Sequence, residues 1–440
     1  MNKLTHIDKP ANTAADMPSG IPASIECSAS LTAVLHSLQT GDFQSRWEAA
    51  KLIPTFGEAA ILPLLELLQQ VQAGGDSSDD DDDDDDDDDW QLLWFIARIL
   101  GQFQHPLAIS ALVEILFTTD DTETLTMAAM TLATIGPAAI PPLSELLARP
   151  SSRLIAVQAL AQIQHPNAIP ALLSVMEDVN PQVRAAAMEA LSHFRSSAIT
   201  AMLVAALRDP NVPVRRAAVV ALGIQAEAES PVELVEHLTP LLWDLNLEVC
   251  RQTAIALGRI GTEAAIHVLD RVLQSPHTPV ELQMEVARAL AWIDSALALR
   301  PLKTYLIQTA SSGSDSLILA QEIVAVLGRV ESPESRSMAL EILLSLLHTA
   351  HPISQISSGK QQIALSLGQL QDASAIDALI SMLSDANTSV QFHVIAALKQ
   401  LAAHGAYDRL QTLLASDAVP ADLKAGIANA LREWQIHTEL

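Results

Sequence analysis

The chain has 440 residues, 49% hydrophobic but only 3% aromatic, so its core must be assembled from Ala, Leu, Ile and Val at close contacts. A formal net charge of −27 opposes any general attraction to nucleic acid or anionic lipid, and neither is expected as a partner. No apolar run reaches the roughly 18 residues of a membrane span, the N-terminus lacks the apolar centre of a signal peptide, and Cys27 and Cys250 are the only cysteines; a cytoplasmic chain without a disulfide framework is expected.

Residues 1–29 mix Pro, Ser, Ala and Thr with little periodicity and read as a disordered leader. From Leu31 onward a unit of two helices and a short turn recurs. Its clearest copy is Asp209 to Gly223, DPNVPVRRAAVVALG. Asp209 and Pro210 make a turn, Asn211 is a capping residue, and Pro213 suits a first helical turn. Val214, Ala217, Ala218, Ala221 and Leu222 then form one apolar stripe. Positions equivalent to Val214 are Ser45, Leu92, Thr124, Ser152, Val183, Val249, Leu282, Leu319, Gly359, Val390 and Leu423, at intervals typical of solenoid arrays. First helices are echoed in Ala60 to Leu68, Ala108 to Leu116, Ala139 to Leu147 and Ala168 to Met176. The boundaries are a first repeat over 30–72, an acidic low-complexity loop over 73–89, and the remaining repeats of the same solenoid over 90–436. The unbroken run Asp79 to Asp89 repels itself and reads as solvated. Ser311 to Ser316 and His351 to Gly359 read as longer turns, either spacers or partner contacts.

The pattern of Asp, a short turn, Val-Arg, Ala-Ala and Ala-Leu-Gly resembles HEAT repeats, in particular the short kind named after phycobilisome lyases. The resemblance implies an all-α fold, a right-handed α-α superhelix of the HEAT/armadillo type with about twelve helix-pair repeats. In such arrays Asp178, Asp209, Asp244 and Asp385, with Arg46, Arg153, Arg184, Arg215, Lys360 and Lys424, would form a ladder along the turns. Those residues are therefore assigned to structure. Cys250 falls at a ladder position and reads as a packing residue.

The resemblance also implies that second helices line the concave face. Residues two, six and ten positions past each anchor share one side of those helices. They supply Trp47, Lys51, Trp94, Arg98, Arg216, Arg251, Arg259, Arg288, Trp292 and Arg329, with Thr55, Gln102, Glu189, His193 and Met284 among them. Guanidinium groups beside indoles suit a flat carboxylate ligand or an acidic partner helix. The alternative is a set of solvated charges, with tryptophans that seal the end of the array. No Walker, G-x-G-x-x-G, H-E-x-x-H or G-x-S-x-G motif is present, and none of the 13 histidines is followed by Glu. Glu263, His267 and Asp270 share a helix face and read as solvated rather than as a metal site. Two functions stand. One is a noncatalytic scaffold or chaperone that binds a protein partner and needs no cofactor, in cofactor or light-harvesting antenna assembly. The other, implied by the resemblance, is a bilin lyase or bilin carrier with a tetrapyrrole as bound ligand.

Overall fold

The computed structural model describes residues 23–74, 83–119, 121–225, 231–309, 314–416 and 418–435. Its contacts divide the chain into two compact units, residues 1–168 and 169–440. In the first, α1 (Ala23–Thr40) pairs with α2 (Phe43–Leu52), α3 (Ile61–Gly74) with α4 (Asp83–Leu100), α5 (Pro106–Thr118) with α6 (Thr122–Ile135), and α7 (Ile140–Leu146) with α8 (Arg153–Ile163). In the second, α9 (Ile169–Leu173) pairs with α10 (Pro181–Leu191), α11 (Ser197–Ala206) with α12 (Val212–Ile224), α13 (Pro231–Leu238) with α14 (Leu247–Ile260), and α15 (Glu263–Gln274) with α16 (Val280–Trp292). The same unit continues with α17 (Ala296–Gln308), packed on α15 and α16, and α18 (Ser314–Leu327), packed on α16; then α19 (Pro333–His348) pairs with α20 (Ser357–Leu370), α21 (Ile376–Met382) with α22 (Thr388–Gln400), and α23 (Ala406–Leu414) with α24 (Ala421–Gln435). The fold is an all-α solenoid of helix pairs. Within each unit every second helix packs on the second helix of the next pair.

The sequence pattern explains why these pairs form. The stripe Val214, Ala217, Ala218, Ala221 and Leu222 is buried to within 1%, so α12 turns one face inward between α10 and α14. The glycine of the Ala-Leu-Gly signature sits where neighbouring second helices come closest. A Cβ on Gly223 would lie 2.9 Å from the Cβ of Ala256, and one on Gly258 2.9 Å from that of Ala289. Only a hydrogen there, facing a small residue, lets the backbones approach so closely.

The turns are held by a repeated polar device. Asp178, Asp209, Asp244 and Asp385 each accept the backbone N–H two residues on, from Asn180, Asn211, Asn246 and Asn387. Asn180, Asn246 and Asn387 then cap the next helix by accepting from Gln182, Glu248 and Ser389. The ladder links one repeat to the next. Arg184 grips Asp209 with bonds of 2.9 and 3.0 Å, and Arg215 grips Asp244 with bonds of 2.7 and 2.8 Å; Lys360 meets Asp385 in the same way. Each arginine also donates to a backbone carbonyl at the start of its own turn, Asp178 or Asp209. At the equivalent position the buried Cys250 Sγ donates to the Asp244 carbonyl at 3.2 Å, and burial raises its thiol pKa. The position after it in the ladder is His277 rather than Asp, so the rung ends there.

Several expected boundaries shift. Helix α1 starts at Ala23, inside the stretch read as a leader; residues 1–22 lie outside the described residues. Helix α4 starts at Asp83, so Asp83 to Asp89 continue a helix instead of a loop, while residues 75–82 lie outside the described residues. The stretch His351 to Gly359 is not a spacer. His351, Ile353 and Ser354 are buried in a short 3-10 turn, with His351 Nε2 2.9 Å from the Leu306 carbonyl and Nδ1 accepting from the Ile353 N–H. Those partners require the Nε2–H tautomer, and burial lowers the imidazole pKa against the opposing pull of the Leu306 bond. Of Ser311 to Ser316, residues 311–313 lie outside the described residues and α18 begins at Ser314. By composition, one stretch among the described residues, Phe43–Val71, is long and apolar enough to cross a membrane. It is not a continuous helix, because Gly57 at φ 63° breaks it.

Candidate functional site

In an α-helix, residues four apart stack on one face and residues three apart lie beside them. The sequence row uses the four-residue step along α2, α4, α12, α14, α16 and α18, and its members emerge half-buried or exposed. They fall into two groups, one in each unit.

In the first unit, Trp47 and Lys51 on α2 meet Trp94 and Arg98 on α4. Phe43 stacks on Trp47 at 6.2 Å between ring centroids, and Phe95, fully buried, meets Phe43, Trp47 and Trp94 at 5.5, 6.4 and 5.0 Å. The Arg98 guanidinium lies 4.9 Å from the Trp47 ring centre and 5.5 Å from that of Trp94, and the Lys51 ammonium lies 5.8 Å from Trp47. Lys51 also donates to Glu48 at 2.9 Å. The indole faces are thus engaged by the protein's own cations. The cluster packs α2 on α4.

In the second unit the row runs through α12, α14, α16 and α18, and carboxylates outside it change its charge. Glu285 and Glu322 stand three positions past their anchors, and Glu248 stands one before. Arg251 lies 3.3 Å from Glu248 and 3.6 Å from Glu285; Arg288 lies 3.3 Å from Glu285 and 2.7 Å from Glu322. This chain of alternating charge crosses three helices and neutralises both arginines. The row read from the sequence, in which Glu189 is the acidic member, is corrected accordingly: the three-residue step brings further acids onto the same face. Arg216, Arg259 and Arg329 form no ion pair among the described residues.

Arg259, Arg288 and Trp292 converge on one pocket of about 240 Å³, lined also by Ile255, Gly258, Glu285 and Ala289. Its floor exists because Gly258 and Ala289 let α14 and α16 close up. Trp292 is 76% exposed, and among the described residues no cation covers its ring. Ile224, ten positions past Val214, is also exposed; a search for polar and aromatic residues passes over it. Trp243 is exposed as well, next to Arg271 at 5.7 Å, and lies outside the row.

A larger cavity of about 660 Å³ in the first unit is lined by Leu31, Leu35, Phe56 and Leu67, with His36 and Glu66 as its titratable members. His267 and Glu263 are exposed and 3.6 Å apart, while Asp270 accepts from Gln274; no group of three metal-binding side chains occurs among the described residues.

Comparison with known proteins follows the same lines. The HEAT-repeat model matches residues 85–156, 140–223, 169–255 and 354–432, more than half of the chain. The model of the PBS lyase HEAT-like repeat matches residues 249–275. No curated protein matches. Among solved structures, importin beta is similar at a TM-score of 0.55 and 12% identity, over 91% of this chain and 60% of the importin. Kap121p is similar at 0.53 and 16%, over 89% of this chain and 47% of Kap121p. The chain therefore spans about half the length of these two relatives, and at such identity the likeness concerns the fold. The complex of CpcE and CpcF of phycocyanin lyase from Nostoc sp. PCC7120 is similar at a TM-score of 0.30 and 22% identity, over 53% of this chain and 92% of that one. Helix pairs, the interlocked Ala-Leu-Gly signature, the Asp-Arg rungs and the matches agree: the chain belongs to the HEAT-repeat family, with a PBS lyase HEAT-like repeat at residues 249–275.

Proposed function

We propose that the chain is a noncatalytic HEAT-repeat scaffold that grips a protein partner on the second-helix face of its second unit, centred on Trp292. The observation that carries this reading is an indole 76% exposed beside a pocket, with unpaired Arg259 at its rim. Tryptophan and arginine are the residues most enriched where interfaces concentrate their binding energy. An indole so exposed adds little to folding, and contact with a partner gives it a role. The solved importins have the same fold, and the helix-pair array presents side chains in register along an extended surface.

Bilin handling is the second reading, favoured by the PBS lyase HEAT-like match that takes in Arg251 and Arg259. The pocket fits it poorly. A volume of about 240 Å³ lies below the roughly 300–1,000 Å³ usual for small-molecule sites, and Arg251 and Arg288 are already paired with Glu248, Glu285 and Glu322. A side chain of a partner fits such a space. Titration of the folded protein with phycocyanobilin, followed by visible absorbance, tests that reading directly: saturable binding weakened by Arg259→Ala and Trp292→Ala would favour it over the scaffold.

The test of the scaffold reading is quantitative capture from extract of the source cells on immobilised full-length protein. Proteins held by the wild type are expected to be lost with Trp292→Ala and kept with Trp47→Phe. Equal recovery by wild type and Trp292→Ala would overturn it.

A further inference from the structure

Once the internal pairings of the second unit are accounted for, four side chains at one register remain. Ten positions past the anchors of four successive repeats stand Ile224 on α12, Arg259 on α14, Trp292 on α16, and Arg329 just beyond α18. All four are exposed. Their order alternates apolar and cationic. Arg259 and Arg329 flank Trp292 on either side, and neither has an ion pair among the described residues, whereas the acids of the neighbouring register are spent on Arg251 and Arg288. Asp294, two residues past Trp292, accepts the backbone N–H groups of Glu331 and Ser332, so it too is engaged.

We propose, resting on the scaffold reading above, that this strip binds an extended acidic segment of the partner and reads it at every third residue. An apolar side chain would lie on Ile224 and a carboxylate on Arg259. A second apolar or aromatic side chain would enter the pocket beside Trp292 and Ile255, and a second carboxylate would meet Arg329.

The spacing argument comes from helix packing. Axes of packed helices are about 8–10 Å apart; glycine-to-alanine contacts join α12 to α14 and α14 to α16, and α16 packs on α18. A polyproline II strand has 3 residues per turn and rises about 3.1 Å per residue, so it presents side chains on one side about every 9.3 Å. That matches one repeat per turn. A β-strand repeats a face every two residues, about 7 Å, and falls out of step within two repeats. An α-helix would need residues seven apart, about 10.5 Å, and so about 22 residues in about six turns to reach all four positions; ordering that many residues costs more entropy on binding than a strand of about ten. The chemistry is that of an acidic, proline-tolerant linear segment. The net charge of the whole chain opposes such a ligand, but its field is screened beyond about 8 Å at physiological salt, so direct contacts with Arg259 and Arg329 dominate.

The experiment is fluorescence anisotropy of full-length protein with a labelled peptide Leu-Pro-Ser-Glu-Pro-Ser-Phe-Pro-Ser-Glu. One control has Lys for Glu, and a second has the same composition with the two Glu and the Phe adjacent. The wild type is expected to bind the first peptide saturably and at least tenfold more tightly than either control. Trp292→Ala should weaken binding about thirtyfold, Arg259→Ala and Arg329→Ala each about two- to fivefold, and Trp47→Phe not at all. Absence of saturable binding, equal binding of either control, or full binding by Trp292→Ala would overturn the proposal. If partner capture still depends on Trp292 while the peptide is ignored, the ligand chemistry alone fails; if neither depends on Trp292, the scaffold site fails with it.

Discussion

The tryptophans of the two units lie on the same face of the second helix, Trp47 and Trp94 two positions past their anchors and Trp292 ten past its own, and have opposite fates. On α2 and α4 the indoles of Trp47 and Trp94 pack around Phe95, and Arg98 lies over both. On α16 the indole of Trp292 stands out from the surface with its face bare. The difference lies in the neighbours. Around Trp47 and Trp94 the adjoining positions are Phe43 and Phe95, large enough to reach across between helices. Around Trp292 they are Gly258 and Ala289, which bring the helices together but leave nothing to cover a ring. This face of the second helix is therefore neither a core face nor a binding face by itself. The side chains on the next helix decide.

The largest effect that would sharpen this contrast is on stability. Phe95→Ala removes a fully buried ring at the centre of the first cluster and should destabilise its unit by about 3–5 kcal/mol. Trp292→Ala should change stability by no more than about 0.5 kcal/mol. Denaturant unfolding followed by circular dichroism checks both, and equal losses would remove the distinction.

Next in size is the ladder. Arg215→Ala would leave the Asp244 carboxylate, 7% exposed, without its bidentate partner, at a cost of about 1.5–3 kcal/mol. Arg259→Ala, on a side chain with no internal partner, should cost almost nothing. The rungs also respond to acid. The Arg215 bond is the main cause that holds the Asp244 carboxyl below its ordinary value, against its burial and with help from the Asn246 N–H. Burial pushes Asp209 and Asp385 up, but their bonds to Arg184 and Lys360 and to the following backbone N–H outweigh it and leave both lowered. Lowered carboxyls stabilise the fold fully above the unfolded value of about 3.9 and lose that contribution as pH falls through the folded value. His351 acts at milder acidity. Its folded pKa lies below the unfolded value of about 6.5, so the unfolded chain takes up the proton first and stability declines as pH drops below about 6.5. Thermal unfolding between pH 8 and pH 3 should show both declines, and His351→Gln should abolish only the upper one.

The repeats and the ladder were legible because they rest on local chemistry. Asp209 and Arg215 announce a turn and a rung within seven residues, and the burial of Val214 and Leu222 follows from helical spacing, whereas Asn211 stands at the start of α12 without the side-chain cap bond its type suggests. What was not legible depends on contacts between repeats. Glu285 and Glu322 neutralise arginines on neighbouring helices, which a single row of every fourth residue does not include; adding the three-residue step would have found them. His351 looked like part of a polar spacer, since nothing nearby in sequence reveals that the Leu306 carbonyl waits for its Nε2–H. Ile224 was overlooked because an exposed aliphatic residue carries no chemical signature until its register with Arg259 and Trp292 is seen.

The measurement that tests the central claim most directly is residue-resolved tryptophan oxidation by N-bromosuccinimide, read by mass spectrometry, with and without the acidic peptide. Trp292 should react much faster than Trp47 and Trp94 in the free protein and should be protected by the peptide, while Trp243, exposed but outside the strip, should react without protection. Protection of Trp47 and Trp94, with Trp292 slow or unaffected, would contradict the account and move the binding surface to the first unit.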